Sequence, residues 1–137
     1  MQKNNLILEL FGTIPSKKNS RINTRSGLSF PSKKYVEWHN QAIMDIIRQS
    51  NGVKFADPIE ISIKLFFGTR RRADIDNKTA SIFDTLTDAG VIVDDDWKHI
   101  PKLSVEAEYR EKKPGAIIKI KKIMVSYKYE RREQETN

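Results

Sequence analysis

The sequence predicts an α+β fold, a single mixed sheet of about four strands with two helices packed on one face. Three observations carry this reading. Residues 32–49 and 77–89 repeat apolar side chains at helical spacing. Residues 59–67 alternate apolar and polar side chains with the period of a strand. Three further apolar runs are short and bounded by turn residues.

In chain order, residues 5–14 (NLILELFGTI) read as a strand that Pro15 ends. Residues 16–30 (SKKNSRINTRSGLSF) read as a polar, basic loop, too long for a plain turn. Ser32 can cap a helix whose apolar positions are Tyr35, Val36, His39, Ala42, Ile43, Ile46 and Ile47, with Asn51-Gly52 as its stop. Asp57-Pro58 opens the strand Ile59–Phe67, which buries Ile59, Ile61, Ile63, Leu65 and Phe67 on one side. A second helix is expected from about Asn77 to Ala89, with Ile82, Phe83 and Leu86 inward and Gly90 at its end. Residues 102–109 and 116–129 read as two strands of a hairpin turned at Glu111–Gly115, the second carrying a bulge near Lys121-Lys122. The whole chain, 1–137, reads as one domain, with residues 130–137 a flexible tail.

The chain has no cysteine, which excludes disulfides, thiolate zinc sites and thiol nucleophiles. No apolar run is long enough for a signal peptide or a membrane span, so a cytoplasmic protein with no membrane partner is expected. The net charge of +7 favours a polyanionic partner. Its distribution is more specific. Residues 14–34 hold Lys17, Lys18, Arg21, Arg25, Lys33 and Lys34 without an acid, and residues 110–137 hold nine Lys or Arg against four Glu. Between them, residues 74–96 hold seven of the nine aspartates and no glutamate. An acidic patch flanked by cations is what phosphodiester hydrolysis requires: cations hold the backbone, and carboxylates hold the metal that must approach it.

Three segments are candidates for that chemistry. In Asp74-Ile75-Asp76-Asn77, an extended backbone would point both carboxylates to one side, where they can hold Mg²⁺ and leave room for water and phosphate oxygen. Capping of the following helix by Asp76 or Asn77 would explain one of those residues, but not two spaced carboxylates after an Arg triplet. The triplet Asp94-Asp95-Asp96 is by itself a weak signal, since acidic triplets are commonly solvated turns. Arg70, Arg71 and Arg72 can grip phosphate in bidentate fashion, against the alternative of a solvated sheet edge. Lys17, Lys18, Asn19 and Arg21 are candidate DNA contacts in the basic loop. His39 reads as a core-edge or interface residue, and Trp38 as packing. His99, close to the acidic triplet, could reach phosphate or metal, against the commoner case of an inert surface histidine, and Trp97 could stack on a base.

The stretch RRRADIDNKTASIFDTLTDAGVIVDDD, Arg70 to Asp96, resembles the RusA-type Holliday junction resolvases of bacteria and phages. The shared pattern is an Arg-rich strand end, D-x-D-N, a helix with F-D-x-L-x-x-A-G (Phe83 to Gly90), a short apolar run and an Asp pair. Ile14 to Asn19 also looks similar. The resemblance implies a RusA-like α+β homodimer that resolves four-way DNA junctions by paired, Mg²⁺-dependent cuts, with Mn²⁺ as the substitute ion. It implies metal ligation by Asp74, Asp76 and Asp95, with Asp94 the neighbour of the last. It places a catalytic lysine where this chain has Ala80. Lys78, two residues earlier, is the candidate to replace it. The alternative is a catalytically weak or inactive junction-binding protein.

Overall fold

A computed structural model describes residues 4–17 and 20–123. Lys18, Asn19 and the expected tail at 130–137 lie outside the described residues. The chain runs β1 (Asn5–Phe11), β2 (Arg21–Asn23), β3 (Ser29–Pro31), α1 (Lys33–Ser50), β4 (Ile59–Phe67), α2 (Ile75–Asp88), β5 (Lys102–Tyr109) and β6 (Gly115–Lys122).

Helix α1 forms where the sequence places it. Ser32 Oγ accepts from the Tyr35 amide at 3.1 Å, and Asn51 closes the helix in the left-handed conformation. Its buried stripe is Tyr35, Ala42, Ile46 and Ser50. Strand β4 turns Ile59, Ile61, Ile63 and Leu65 to the same side, each at most 2% exposed. Each such side chain contributes about 1.5–3 kcal/mol of burial. They join Ile46 of α1 and Ile82 and Leu86 of α2 in one core, so both helices cover one face of the sheet.

The principal sheet has the order β1-β6-β4-β5. Here the expected hairpin is corrected: β5 pairs with β4 in parallel, and β6 lies antiparallel between β1 and β4. The reason lies in the two strands. KLSVEAEY offers little apolar surface and stays at the edge, exposed along nearly its whole length. GAIIKIKK brings Ala116, Ile118 and Ile120, all at most 1% exposed, so it belongs in the middle. The chain crosses the end of β4, where Arg110 and Lys112 amides bond the carbonyls of Phe67 and Gly68. The ladder of β6 runs unbroken to Lys122, so no bulge interrupts Lys121-Lys122. Gly115 enters this strand so close to β1 that a Cβ would overlap the Leu10 carbonyl oxygen. Gly115→Ala is therefore expected to destabilise the protein by about 1–3 kcal/mol in urea unfolding.

Two further expectations are corrected. The segment 16–30 is not all loop: β2 and β3 pair as a separate two-stranded ribbon, outside the single expected sheet. Helix α2 begins at Ile75, not Asn77, so Asp76 is helical and Asp74-Ile75-Asp76 is not a continuous extended run.

Candidate metal centre and nucleic-acid interface

Asp74 stands at the N-cap of α2 with extended backbone, yet its side chain makes no capping hydrogen bond. Capping therefore does not account for this carboxylate. Asp76, in the first turn, accepts only the neighbouring Asn77 amide at 2.9 Å among its described hydrogen bonds. Both residues are exposed, and both keep oxygens available as hard ligands. A carboxylate in this turn is favoured by the positive helix end.

Two adjoining cavities open beside them. One, of about 400 Å³, is lined by Ser16, Arg72, Ala73, Asp74, Asn77 and Lys78. The other, of about 470 Å³, includes Arg71, Arg72, Lys78 and Lys112 in its wall. Arg72 and Lys78 are common to both, so a basic cleft leads to Asp74. Arg70 is turned away, its guanidinium carbon 4.1 Å from the centre of the Tyr109 ring. Lys78 Nζ donates to the Ile14 carbonyl, and burial pushes its pKa down.

The acidic triplet lies elsewhere. The Asp95 amide donates to Asp94 Oδ1 at 2.8 Å. Burial raises the Asp95 pKa, and the hydrogen bond and charge of Asp94 and the charge of Asp84 add to it. Asp96 accepts from the His99 amide at 2.9 Å and stands 2.7 Å from His99 Nδ1, which holds its carboxyl below the usual range. His99 in turn bonds the start of β4 through its carbonyl and the Ile59 amide. Asp74, by contrast, follows the end of β4. Asp84, whose charge Asp95 feels, lies about 15 Å along the helix axis from Asp74. Within one chain, Asp74, Asp76 and Asp95 do not bring their ligating atoms within 4.8 Å of one another.

Among the described residues, His39, Asp84 and Asp88 do form such a group, with ligating atoms within 4.8 Å of one another. His39 Nε2 is 2.7 Å from Asp88 Oδ2, while its buried Nδ1 has no hydrogen-bond partner and lies 4.0 Å from Asp84 Oδ2. Asp84 is already engaged. Lys17 Nζ lies 3.0 Å from its Oδ1, and the Tyr35 hydroxyl donates to its Oδ2 at 3.4 Å. Burial, with Asp84 next, pushes the Tyr35 pKa up to about 12. One imidazole and two carboxylates could ligate a divalent ion, but a lysine ammonium on one of the carboxylates opposes it. As built, the group latches the basic segment to α2. Sequence reasoning assigned His39 to the core edge or an interface and missed this cluster. The available signal was the four-residue spacing of Asp84 and Asp88 on one helix face.

Of the expected DNA contacts, Arg21, Arg70, Arg71 and Arg72 are all exposed. Arg21 bonds Ser29 within the ribbon, while Lys17 is held by Asp84. Trp97 is 70% exposed and Trp38 packs against the core. No helix among the described residues is long and apolar enough to cross a membrane.

The endodeoxyribonuclease RusA family matches residues 12–121. The crossover junction endodeoxyribonuclease RusA of Aquifex aeolicus (strain VF5) is 31% identical over 105 residues, covering 77% of this chain and 82% of that protein.

Proposed function

The chain belongs to the RusA endodeoxyribonuclease family, and from that membership we propose that it is a Mg²⁺-dependent resolvase of four-way DNA junctions. The observation that carries the metal reading is Asp74: an N-cap carboxylate with no cap bond, at the mouth of a cleft walled by Arg72 and Lys78. Its neighbour Asp76 offers a second hard oxygen donor, and such donors fit Mg²⁺. Mg²⁺, or Mn²⁺ in its place, would supply an activated water and charge neutralisation at the phosphate. Arg71, Arg72 and Lys78 would orient the phosphodiester over the carboxylates and offset its developing charge.

The third ligand, Asp95, is the reason we assign a homodimer. Asp95 does not gather with Asp74 and Asp76 in a metal-sized group of one chain, and a second copy would bring its own Asp95 across. Exposed apolar side chains flank both halves of the divided site: Ile75 at 43%, Val93 at 56% and Trp97 at 70%. Burial between subunits would account for them. Two-fold symmetry then presents two sites to opposite strands of a junction. We place the protein in the cytoplasm of a bacterial or phage-infected cell, as one RusA-like domain.

The direct test is cleavage of a four-way junction and of linear duplex, with and without Mg²⁺. Paired nicks confined to the junction and to Mg²⁺ are expected. Binding without cleavage would favour the alternative of an inactive junction-binding protein, which the absence of a lysine at Ala80 keeps in view.

Affinity should fall steeply as salt rises, because phosphate contacts release counterions. Replacing both Arg71 and Arg72 by Ala is expected to lower the slope of log affinity against log salt by about two. An unchanged slope would put both arginines outside the interface.

A further inference from the structure

We infer that the β2–β3 ribbon is a wedge for unstacked DNA bases, which it would meet at the branch point of the substrate; this rests on the junction reading above. Ile22 and Phe30 are direct cross-strand partners, so their side chains share one face. The Thr24 amide bonds the Leu28 carbonyl at 2.9 Å, which extends the pairing and brings Leu28 to the same face. All three are exposed, Ile22 at 43%, Leu28 at 65% and Phe30 at 43%. Arg21 lies on the opposite face, bonding Ser29 Oγ at 2.8 Å and the Ser29 carbonyl at 2.9 Å. The ribbon is thus apolar on one side and cationic on the other. It does not pair with the main sheet.

Its mounting is firm. The Ser20 amide bonds the Ser16 carbonyl, and the Ser32 amide bonds the Ser20 carbonyl, both at 2.9 Å. Ser32 caps α1 directly after β3. On the other leg, Ser81 Oγ donates to the Pro15 carbonyl at 2.6 Å and accepts from the Lys17 amide at 3.0 Å, while Lys17 Nζ reaches Asp84. The ribbon's base is therefore tied to both helices. Ser16, at that base, lines the cavity that holds Asp74. From Ser20 the first leg reaches about 16 Å to Arg25 at the turn.

Charge selects the occupant. No Asp or Glu occurs from Leu10 to Val36, whereas six Lys or Arg do. An apolar face on a segment that carries cations and no acid suits bases exposed within a polyanion, and Phe, Leu and Ile are the side chains that enter base steps. An intact duplex offers few unstacked bases, so the wedge would favour a branch.

The test uses the full chain without Mg²⁺ and a four-way junction carrying 2-aminopurine at the branch. Binding of the parent should raise the 2-aminopurine emission. The Leu28→Ser, Phe30→Ser double variant should lose that rise and at least about tenfold of the preference for junction over duplex. Its salt slope should be unchanged, because every cation remains. Phe30→Trp should keep the rise. An equal rise from the double variant overturns the wedge. So does sedimentation showing that the double variant turns a dimer into monomers, since the face would then be a subunit contact. If the parent binds no junction, the wedge and the junction reading both fall; if it binds without any rise, only the wedge does.

Discussion

Asp74→Asn, Asp76→Asn and Asp95→Asn should each lower single-turnover junction cleavage by at least about a thousandfold, equivalent to about 4 kcal/mol of barrier. Junction binding should stay within a few-fold, because in the proposed complex the phosphate contacts would come mainly from Lys and Arg. In the proposed site each substitution would remove one anionic ligand from a doubly charged ion held by oxygen alone. Stability should hardly change: Asp74 makes no cap bond, and Asp76 accepts only its neighbour's amide among its described hydrogen bonds. The pairing of variants is more informative than any single one. If the site is divided between subunits, Asp74→Asn mixed with Asp95→Asn gives a hybrid dimer with one intact site. That site combines Asp74 and Asp76 of one chain with Asp95 of the other. The mixture should nick junctions although neither variant does alone. If each site lies within one chain, both sites of the hybrid are broken and no nicks appear. Near-normal cleavage by any single variant at saturating Mg²⁺ would remove that residue from the ligand set.

The spatial relation of the three aspartates was not legible in the sequence. Asp74, Asp76 and Asp95 were chosen by residue type and resemblance, and neither reports distance. Local signals were legible where local physics decides. Ser32 and Asn51 mark the ends of α1, and the alternation of 59–67 gives β4 with its buried face. The partner of β5 was not, because strand pairing is a competition among strands for central positions. Hairpin logic favours the nearest neighbour in sequence, but β6 gains more burial between β1 and β4. The start of α2 was missed by two residues because Asp74 looked like part of a ligand pair rather than an N-cap. The ribbon was missed because its strands are three residues long and neither face is covered, so no burial pattern betrays them. The latch on α2 escaped for a related reason. His39, Lys17 and Asp84 come from three distant segments, and only the fold brings them together.

Lys78 is where local chemistry and the proposed catalysis are most closely joined. Among the described residues it makes no ion pair; its ammonium is spent on the Ile14 carbonyl, in the wall between two cavities. Burial lowers its pKa, which fits a group waiting for an anion rather than one already neutralised. Four residues after Asp74, it lies over that residue on the helix. Ala80 is exposed and stands four residues after Asp76, so a lysine there would lie over the other carboxylate. In the proposed site the two positions would approach the phosphate from different sides. Lys78→Met, which keeps the apolar stem, should lower single-turnover cleavage by at least about tenfold, or about 1.4 kcal/mol. The loss of the bond to Ile14 should cost only about 1 kcal/mol of stability. Adding Ala80→Lys to Lys78→Met should recover part of the rate without recovering that stability. The pH profile supplies a further mark. A lysine whose pKa is lowered loses its charge earlier as pH rises, so the parent's rate should fall on the alkaline side. Lys78→Arg should move that fall to higher pH, because guanidinium stays charged. If Lys78→Met cleaves like the parent with only the stability lowered, Lys78 is a strap between α2 and the end of β1. The arginines of the cleft and the metal would then carry the transition state alone.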